Sequence, residues 1–237
     1  MLIEKLKEAG RDTIHDAGDA DVLIAQSAVS VSATRDTVVI ADDTDILILL
    51  CHHGNNCKKK IFFKPEQKQG STQGKIWDIQ AACSVLGSNL CRRLPFLHAL
   101  LGCHTTSGLF GIGKAVGLKK RAQLYQHAKV FYNANSLKED VIKEGERALV
   151  EVYGGKVSDS LEALQHRRFC EKTAKSTTAV EVKSLPPTSS AAKFHSLRVY
   201  YQVQLWTGNQ ELQPHYWGWK ETDGTLIPVM TDKPPAP

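Results

Sequence analysis

The chain of 237 residues has no apolar run long enough to span a bilayer; its longest, Ile46 to Cys51, has six residues. A membrane-spanning helix needs about 20, so a membrane partner is not expected. The first ten residues, MLIEKLKEAG, are charged and amphipathic rather than leader-like. The six cysteines (Cys51, Cys57, Cys83, Cys91, Cys103, Cys170) lack any tight repeating spacing. That pattern argues against a disulfide scaffold and for a reduced, intracellular protein with small buried thiols. No internal repeat is visible. With 42% hydrophobic and 23% charged residues, the chain is not wholly disordered and can bury one sizeable core.

What the sequence does have is segregated charge. Residues 1–50 carry 4 basic and 10 acidic side chains, residues 51–128 carry 12 and 2, and residues 129–237 carry 14 and 13. Carboxylates suit a metal site, and lysine and arginine suit a phosphate backbone. Two oppositely biased, solvated faces explain the same counts.

Apolar periodicity predicts helices over Met1–Ala9 and Asp19–Ser30, with a short strand at Thr13–His15 between them. Thr37–Ala41 is a β-branched run of the kind buried on both faces of a parallel sheet. Ile46–Cys51 reads as a helix or a strand. Lys60–Lys64 and Lys75–Asp78 read as strands, and Ile79–Leu86 as a helix. A second helix runs from about Ser88 to Leu101 with a kink at Pro95. Helical patterns follow over Lys114–Lys129, Leu137–Tyr153 and Ser158–Lys175. Thr188 or Ser189 is placed to cap a helix ending near Trp206. Beyond it, an aromatic, proline-containing segment reads as an extended tail packed on the domain. The fold class is α/β with a mainly helical second half.

The acidic residues Asp42, Asp43 and Asp45 directly follow the Thr37–Ala41 strand, where open α/β sheets collect functional groups. Asp19 and Asp21 lie at the start of a predicted helix. If the two places adjoin, four carboxylates converge, and Mg²⁺ or Mn²⁺ is the natural partner for an all-oxygen site. Two such ions about 4 Å apart can activate water and stabilise a leaving oxygen in phosphodiester cleavage. Each aspartate can equally serve locally, as a helix cap or a turn residue.

Three stretches, in order, resemble the flap endonuclease and PIN-like nuclease superfamily over roughly residues 1–128. Glu8-Ala9-Gly10 through Asp19 and Asp21 resembles a helix, glycine and short strand leading to acids one residue apart. TVVIADDTDIL, Thr37 to Leu47, resembles a strand followed by an acid-x-acid pair, Asp43 and Asp45. LLGCHTTSGLFGIGKAVGL, Leu100 to Leu118, resembles a leucine-glycine-x-aspartate motif and a Gly-Ile-Gly hairpin.

The resemblance implies a PIN-like parallel sheet flanked by helices, with Asp19, Asp21, Asp43 and Asp45 as catalytic and metal-binding residues. It implies that Gly111, Ile112 and Gly113 approach a DNA phosphate, with Lys114, Lys119, Lys120 and Arg121 adding contacts. Asp42 has no counterpart and is assigned to a turn. His104 stands where the family has an aspartate, and the family's first strand and further acids would lie upstream of Met1. A histidine adds no fixed negative charge, so Mg²⁺ or Mn²⁺ is expected to bind weakly or not at all. Losing one catalytic carboxylate commonly costs roughly 10³-fold in rate.

The implied organisation is a PIN-like domain over 1–128, with its hairpin element at about 100–128, a helical extension over 129–184 and a C-terminal segment over 185–237. The implied function is a degenerate structure-specific 5′ nuclease domain, at most nucleic-acid binding. The alternatives are an active Mg²⁺- or Mn²⁺-dependent DNA endonuclease, or a non-enzymatic protein-interaction module working through Trp206, Trp217 and Trp219. Lys58-Lys59-Lys60 is either part of a nuclear import signal or a solvated turn. Cys51, His52, His53 and Cys57 are either a small zinc site or a loop, and Cys103-His104 has the residue types of a nucleophile and base.

Overall fold

The computed structural model describes residues 2–15, 20–66, 75–156, 158–175, 179–209 and 211–232. The protein is a mixed α/β chain that divides into two compact units, Met1–Val85 and Leu86–Pro237. The sequence-based boundaries near 128 and 184 fall inside the second of these. Among the described residues no helix is long and apolar enough to cross a membrane.

In the first unit, α1 (Leu2–Glu8) buries none of its residues. Residues 11–15, expected to include a short strand, adopt no regular element. α2 (Ala20–Val31) is followed by β1 (Thr37–Ile40), α3 (Thr44–His53), β2 (Ile61–Lys64), β3 (Trp77–Asp78) and α4 (Ile79–Leu86). β1 and β2 pair in parallel, with Val39 opposite Phe63, while β3 runs antiparallel to β2. The connection between parallel strands needs a crossover, and α3 supplies it.

α2 packs on α3 and against β1. Val22, Ala25 and Ala28 of α2 are buried, as are Val39, Ile46, Leu49, Leu50, Ile61 and Phe63. The β-branched run of β1 is thus covered on one face only. Val38 and Ile40 point the other way and remain 56% and 61% exposed, which corrects the expectation of a strand buried on both faces. Alternate residues of a strand face opposite sides, and α2 and α3 serve the Val39 side. Among the described residues the sheet of this unit has three strands, β1 and β2 parallel and β3 antiparallel to β2.

The second unit contains α5 (Ser88–Leu100), α6 (Lys114–Lys119), α7 (Arg121–Tyr132), α8 (Lys138–Val152), α9 (Leu161–Thr173) and α10 (Ser189–Trp206). α10 packs on α5, α7 and α8. A helix with buried residues on every side belongs in a core, and α10 buries twelve of its eighteen. Its polar groups find partners inside: His195 Nε2 bonds the Leu100 carbonyl at 2.9 Å, and Gln204 Nε2 donates to the Phe131 carbonyl at 2.8 Å. Thr188 caps it by accepting from the Ala191 N–H at 3.2 Å, as the sequence predicts. Pro95 lies inside α5, and the Phe96 N–H next to it donates to the Tyr132 hydroxyl at 3.3 Å.

The C-terminal segment is not an extended tail. β4 (Trp219–Thr222) and β5 (Thr225–Pro228) form an antiparallel hairpin closed by Asp223-Gly224. Both turn residues have positive φ, 51° and 74°, the two-residue turn for which Asp-Gly is suited. Trp217 is 8% exposed and lies over Tyr200 with ring centroids 4.3 Å apart, and Trp206 is 1% exposed. These aromatics do pack on the domain, as expected.

Two outcomes test this packing. At Gly145 of α8 a Cβ would sit 2.0 Å from Ser196 Oγ of α10. Gly145→Ala therefore costs about 1–3 kcal/mol in urea unfolding, and Ser196→Gly added to it recovers part of the loss. An unchanged midpoint in Gly145→Ala would contradict the close helix approach.

Burial, with Arg198 nearby, holds the His195 imidazole down at about 4 from its ordinary 6.5. The unfolded imidazole protonates first, so stability is intact above about 6.5 and is lost as pH falls toward about 4. The full loss is on the order of 3 kcal/mol. His195→Gln flattens the pH dependence of urea unfolding between about pH 7 and about pH 5; an identical slope in both proteins would refute this.

Candidate metal centre

The carboxylates in question are fixed by two helix N-termini. After β1 the chain turns through Ala41 and Asp42, and Asp43 takes up the extended conformation of an N-cap (φ −99°, ψ 129°). Its Oδ1 accepts the Asp45 N–H at 2.8 Å, satisfying one otherwise orphaned donor of α3. Asp45 follows in the first turn of α3 and is 5% exposed. Asp21 sits in the first turn of α2. Because α2 and α3 pack on one another, a carboxylate oxygen from each of Asp21, Asp43 and Asp45 comes within 4.8 Å of the others.

Three of the four aspartates named from sequence are therefore brought together. Asp19 lies outside the described residues. Asp42 is exposed and not one of the three. No other such group of histidine, cysteine and carboxylate ligands occurs among the described residues. In particular, Cys51, His52, His53 and Cys57 form none, although the His52 and His53 rings meet edge to face at 4.7 Å.

The energetics of the cluster follow from its size. Two full charges at the 4.8 Å limit repel by about 1 kcal/mol in water and about 3 kcal/mol at the effective dielectric of a protein surface. A helix N-terminus typically returns 0.3–1 kcal/mol to each nearby anion, which is less than three such repulsions. A divalent cation among the oxygens would add attractions to each carboxylate that outweigh the repulsions between them. The donor set is entirely carboxylate oxygen, which fits hard cations such as Mg²⁺ and Mn²⁺ rather than zinc.

The glycine-lysine segment lies in the second unit. Gly111 has φ 72°, and the Ile112 N–H donates to the Leu109 carbonyl at 3.0 Å. Gly113 caps α6, a helix of only six residues. Two of the four basic residues named from sequence serve internal roles. Lys114 Nζ donates to the His98 carbonyl at 2.9 Å and also to that of Gly102, closing the end of α5. Lys120 Nζ donates to the Glu151 carbonyl at 2.6 Å, at the end of α8. Lys119 and Arg121 are exposed, with Arg121 Nη1 also donating to the Leu118 carbonyl at 2.8 Å. His104 is exposed in the loop between α5 and α6. Its neighbour Cys103 places Sγ 3.3 Å and 3.2 Å from the hydroxyls of Thr105 and Thr106.

Sequence reading missed a buried polar cluster between α7 and α8. His127 is 4% exposed, with Nδ1 2.7 Å from Glu144 Oε2 and Nε2 3.5 Å from Glu151 Oε1. Burial pushes the Glu144 carboxyl up, but hydrogen bonds from His127 and Arg147 outweigh it and hold the group below its ordinary value. The signal was available, since Glu144 and Glu151 are seven apart and share a helix face.

No protein-family model, no curated protein and no solved structure matches the chain. The metal centre is tested by titrating Mn²⁺ and following free ion by electron paramagnetic resonance. Asp45→Asn weakens binding at least tenfold, because one of three charged ligands is lost, and Asp42→Asn leaves it unchanged. Equal binding by all three proteins would place any bound Mn²⁺ elsewhere.

Proposed function

We propose that this protein is a nucleic-acid-binding module of flap-endonuclease or PIN-like character, in which a divalent cation is held by Asp21, Asp43 and Asp45 and hydrolytic activity is weak or lost. The observation that carries the reading is the convergence of these three carboxylates at the N-termini of two adjacent helices. The ordered motifs around them support it, as does the bias of residues 51–128, 12 basic to 2 acidic.

When bound, Mg²⁺ or Mn²⁺ supplies Lewis acidity toward a phosphodiester oxygen and lowers the pKa of bound water. The protein's own residues do the rest. Asp45, nearly buried, and Asp43, fixed by its cap, present oxygens whose positions are set before any ligand arrives. Such preorganisation is what an electrostatic site needs. Lys119 and Arg121 are exposed cations of the α6–α7 segment, suited to phosphate contacts that are independent of base sequence. Lys114 and Lys120 act indirectly, by holding the ends of α5 and α8. With three carboxylates in the group among the described residues, a second cation has few ligands, which argues for slow cleavage or none.

The test is fluorescence anisotropy with labelled duplex and flap DNA. Raising salt from about 50 to about 200 mM weakens binding roughly 40-fold if about three phosphates are neutralised. Lys119→Glu with Arg121→Glu weakens it further and lowers the salt dependence. Binding indifferent to salt and to both substitutions would refute the reading. In parallel, gel assays with Mg²⁺ or Mn²⁺ give little or no cleavage. Fast cleavage abolished by Asp43→Ala, with the fold intact, would instead make the chain an active metal-dependent endonuclease.

A further inference from the structure

The second unit contains a cavity of about 370 Å³ bounded by the start of α10, the loop after α5 and Met230, two residues beyond β5. That volume is at the lower end of small-molecule pockets, which run from about 300 to 1,000 Å³. Sixteen residues line it, and none is aspartate or glutamate. Leu109, Val182, Leu185 and Pro186 make much of its wall apolar.

α10 contributes one face and one charge, Arg198, to this cavity. Ala191, His195 and Arg198 all line it, and their spacing of four and three puts them on one helix face. The cavity also takes in Thr188, the N-cap of this eighteen-residue helix, so the positive end of the macrodipole lies on the same wall.

Arg198 is the unusual member. It is 2% exposed. Its Nη1 donates to the Val229 carbonyl, and its Nη2 to Ser107 Oγ at 3.2 Å. Its Nε is buried with no hydrogen-bond partner. Among the described residues no carboxylate pairs with it; both hydrogen-bonding oxygens are neutral. Burial alone lowers the guanidinium pKa, with no acid opposing. His195 beside it stays neutral, with Nε2 on the Leu100 carbonyl and Nδ1 buried and unpartnered. A buried cation without a counter-charge is costly. Bracing Val229 and Ser107 needs only neutral donors, so the positive charge itself is unexplained by that role.

We propose that this cavity binds a small carboxylate on an apolar body, with the anion against Arg198 and the apolar portion along Leu109, Val182, Leu185 and Pro186. A carboxylate is favoured over a phosphate because two guanidinium nitrogens are already engaged. The apolar side chains on the wall give a hydrocarbon body a surface to cover, which inorganic phosphate lacks, while Lys183 and Thr188 are further donors beside Arg198.

The test is calorimetric titration of the full chain with octanoate, with 1-octanol and with inorganic phosphate, near neutral pH. Octanoate binds one to one, and both 1-octanol and phosphate bind at least tenfold more weakly. Arg198→Met removes the charge and weakens octanoate at least tenfold. Since that variant also loses the Val229 and Ser107 bonds, Ala191→Met is the second arm. It fills the cavity, keeps Arg198, and is expected to weaken octanoate by a similar factor with circular dichroism unchanged. Failure of octanoate to bind at millimolar concentration would overturn the proposal. So would 1-octanol or phosphate matching octanoate, or Ala191→Met binding like the unaltered chain.

Discussion

The first unit depends on the side-by-side packing of α2 and α3. Each helix begins with an aspartate in its first turn, and their packing drives like charges to within 4.8 Å. Apolar contacts among Val22, Ala25, Ile46 and Leu49 oppose that repulsion. Val22, Ile46 and Leu49 each contribute roughly 1.5–3 kcal/mol when fully buried, and together they offset pairwise repulsions of about 1–3 kcal/mol. Asp43 is held twice over, by the end of β1 on one side and by its own cap on the other. The packing of α2 on α3 and the Asp43 cap therefore place these carboxylates where they could hold a metal ion.

The second unit is organised by the burial of α10. Its polar side chains cannot reach water, so they tie it to its neighbours: His195 to the end of α5, Gln204 and Tyr200 to the end of α7. Arg198 performs the same service for Val229 and Ser107, yet carries a charge that these partners do not balance. Side chains at three successive turns of this helix line one cavity. The polar groups inside this unit are thus set by where α10 sits, and the proposed carboxylate site rests on the same placement.

Much of this was legible in sequence, and the exceptions are instructive. Helices α2, α8 and α10 announced themselves by periodicity and by Thr188 as a cap. The grouping of Asp21 with Asp43 and Asp45 was expected on condition that two strand ends adjoin, and was implied by the resemblance; the strand expected at Thr13–His15 does not form, and the packing of α2 on α3 brings the three together instead. The hairpin at Trp219–Pro228 was passed over although Asp223-Gly224 is a strong turn signal; the surrounding prolines and tryptophans masked it. One-sided exposure of β1 could not be read, because TVVI looks the same whether one face or two are covered. The internal roles of Lys114 and Lys120 were also invisible, since a lysine that caps a helix end and one that awaits a phosphate have the same sequence context. Arg198 gave no signal at all, because burial of a single arginine within an apolar helix depends on every element around it.

These features bear unequally on function. The cluster of Asp21, Asp43 and Asp45 is compatible with Mg²⁺ or Mn²⁺ chemistry, while the glycine-lysine segment offers fewer free cations than its sequence suggests. The proposed function is that of a module that holds nucleic acid with one cation and hydrolyses it poorly. The most direct test is anomalous diffraction from crystals of the protein grown with Mn²⁺. The account predicts an anomalous peak bonded to oxygens of Asp21, Asp43 and Asp45 at roughly 2.0–2.3 Å. Mn²⁺ bound only elsewhere, with these three carboxylates ordered and metal-free, would contradict it.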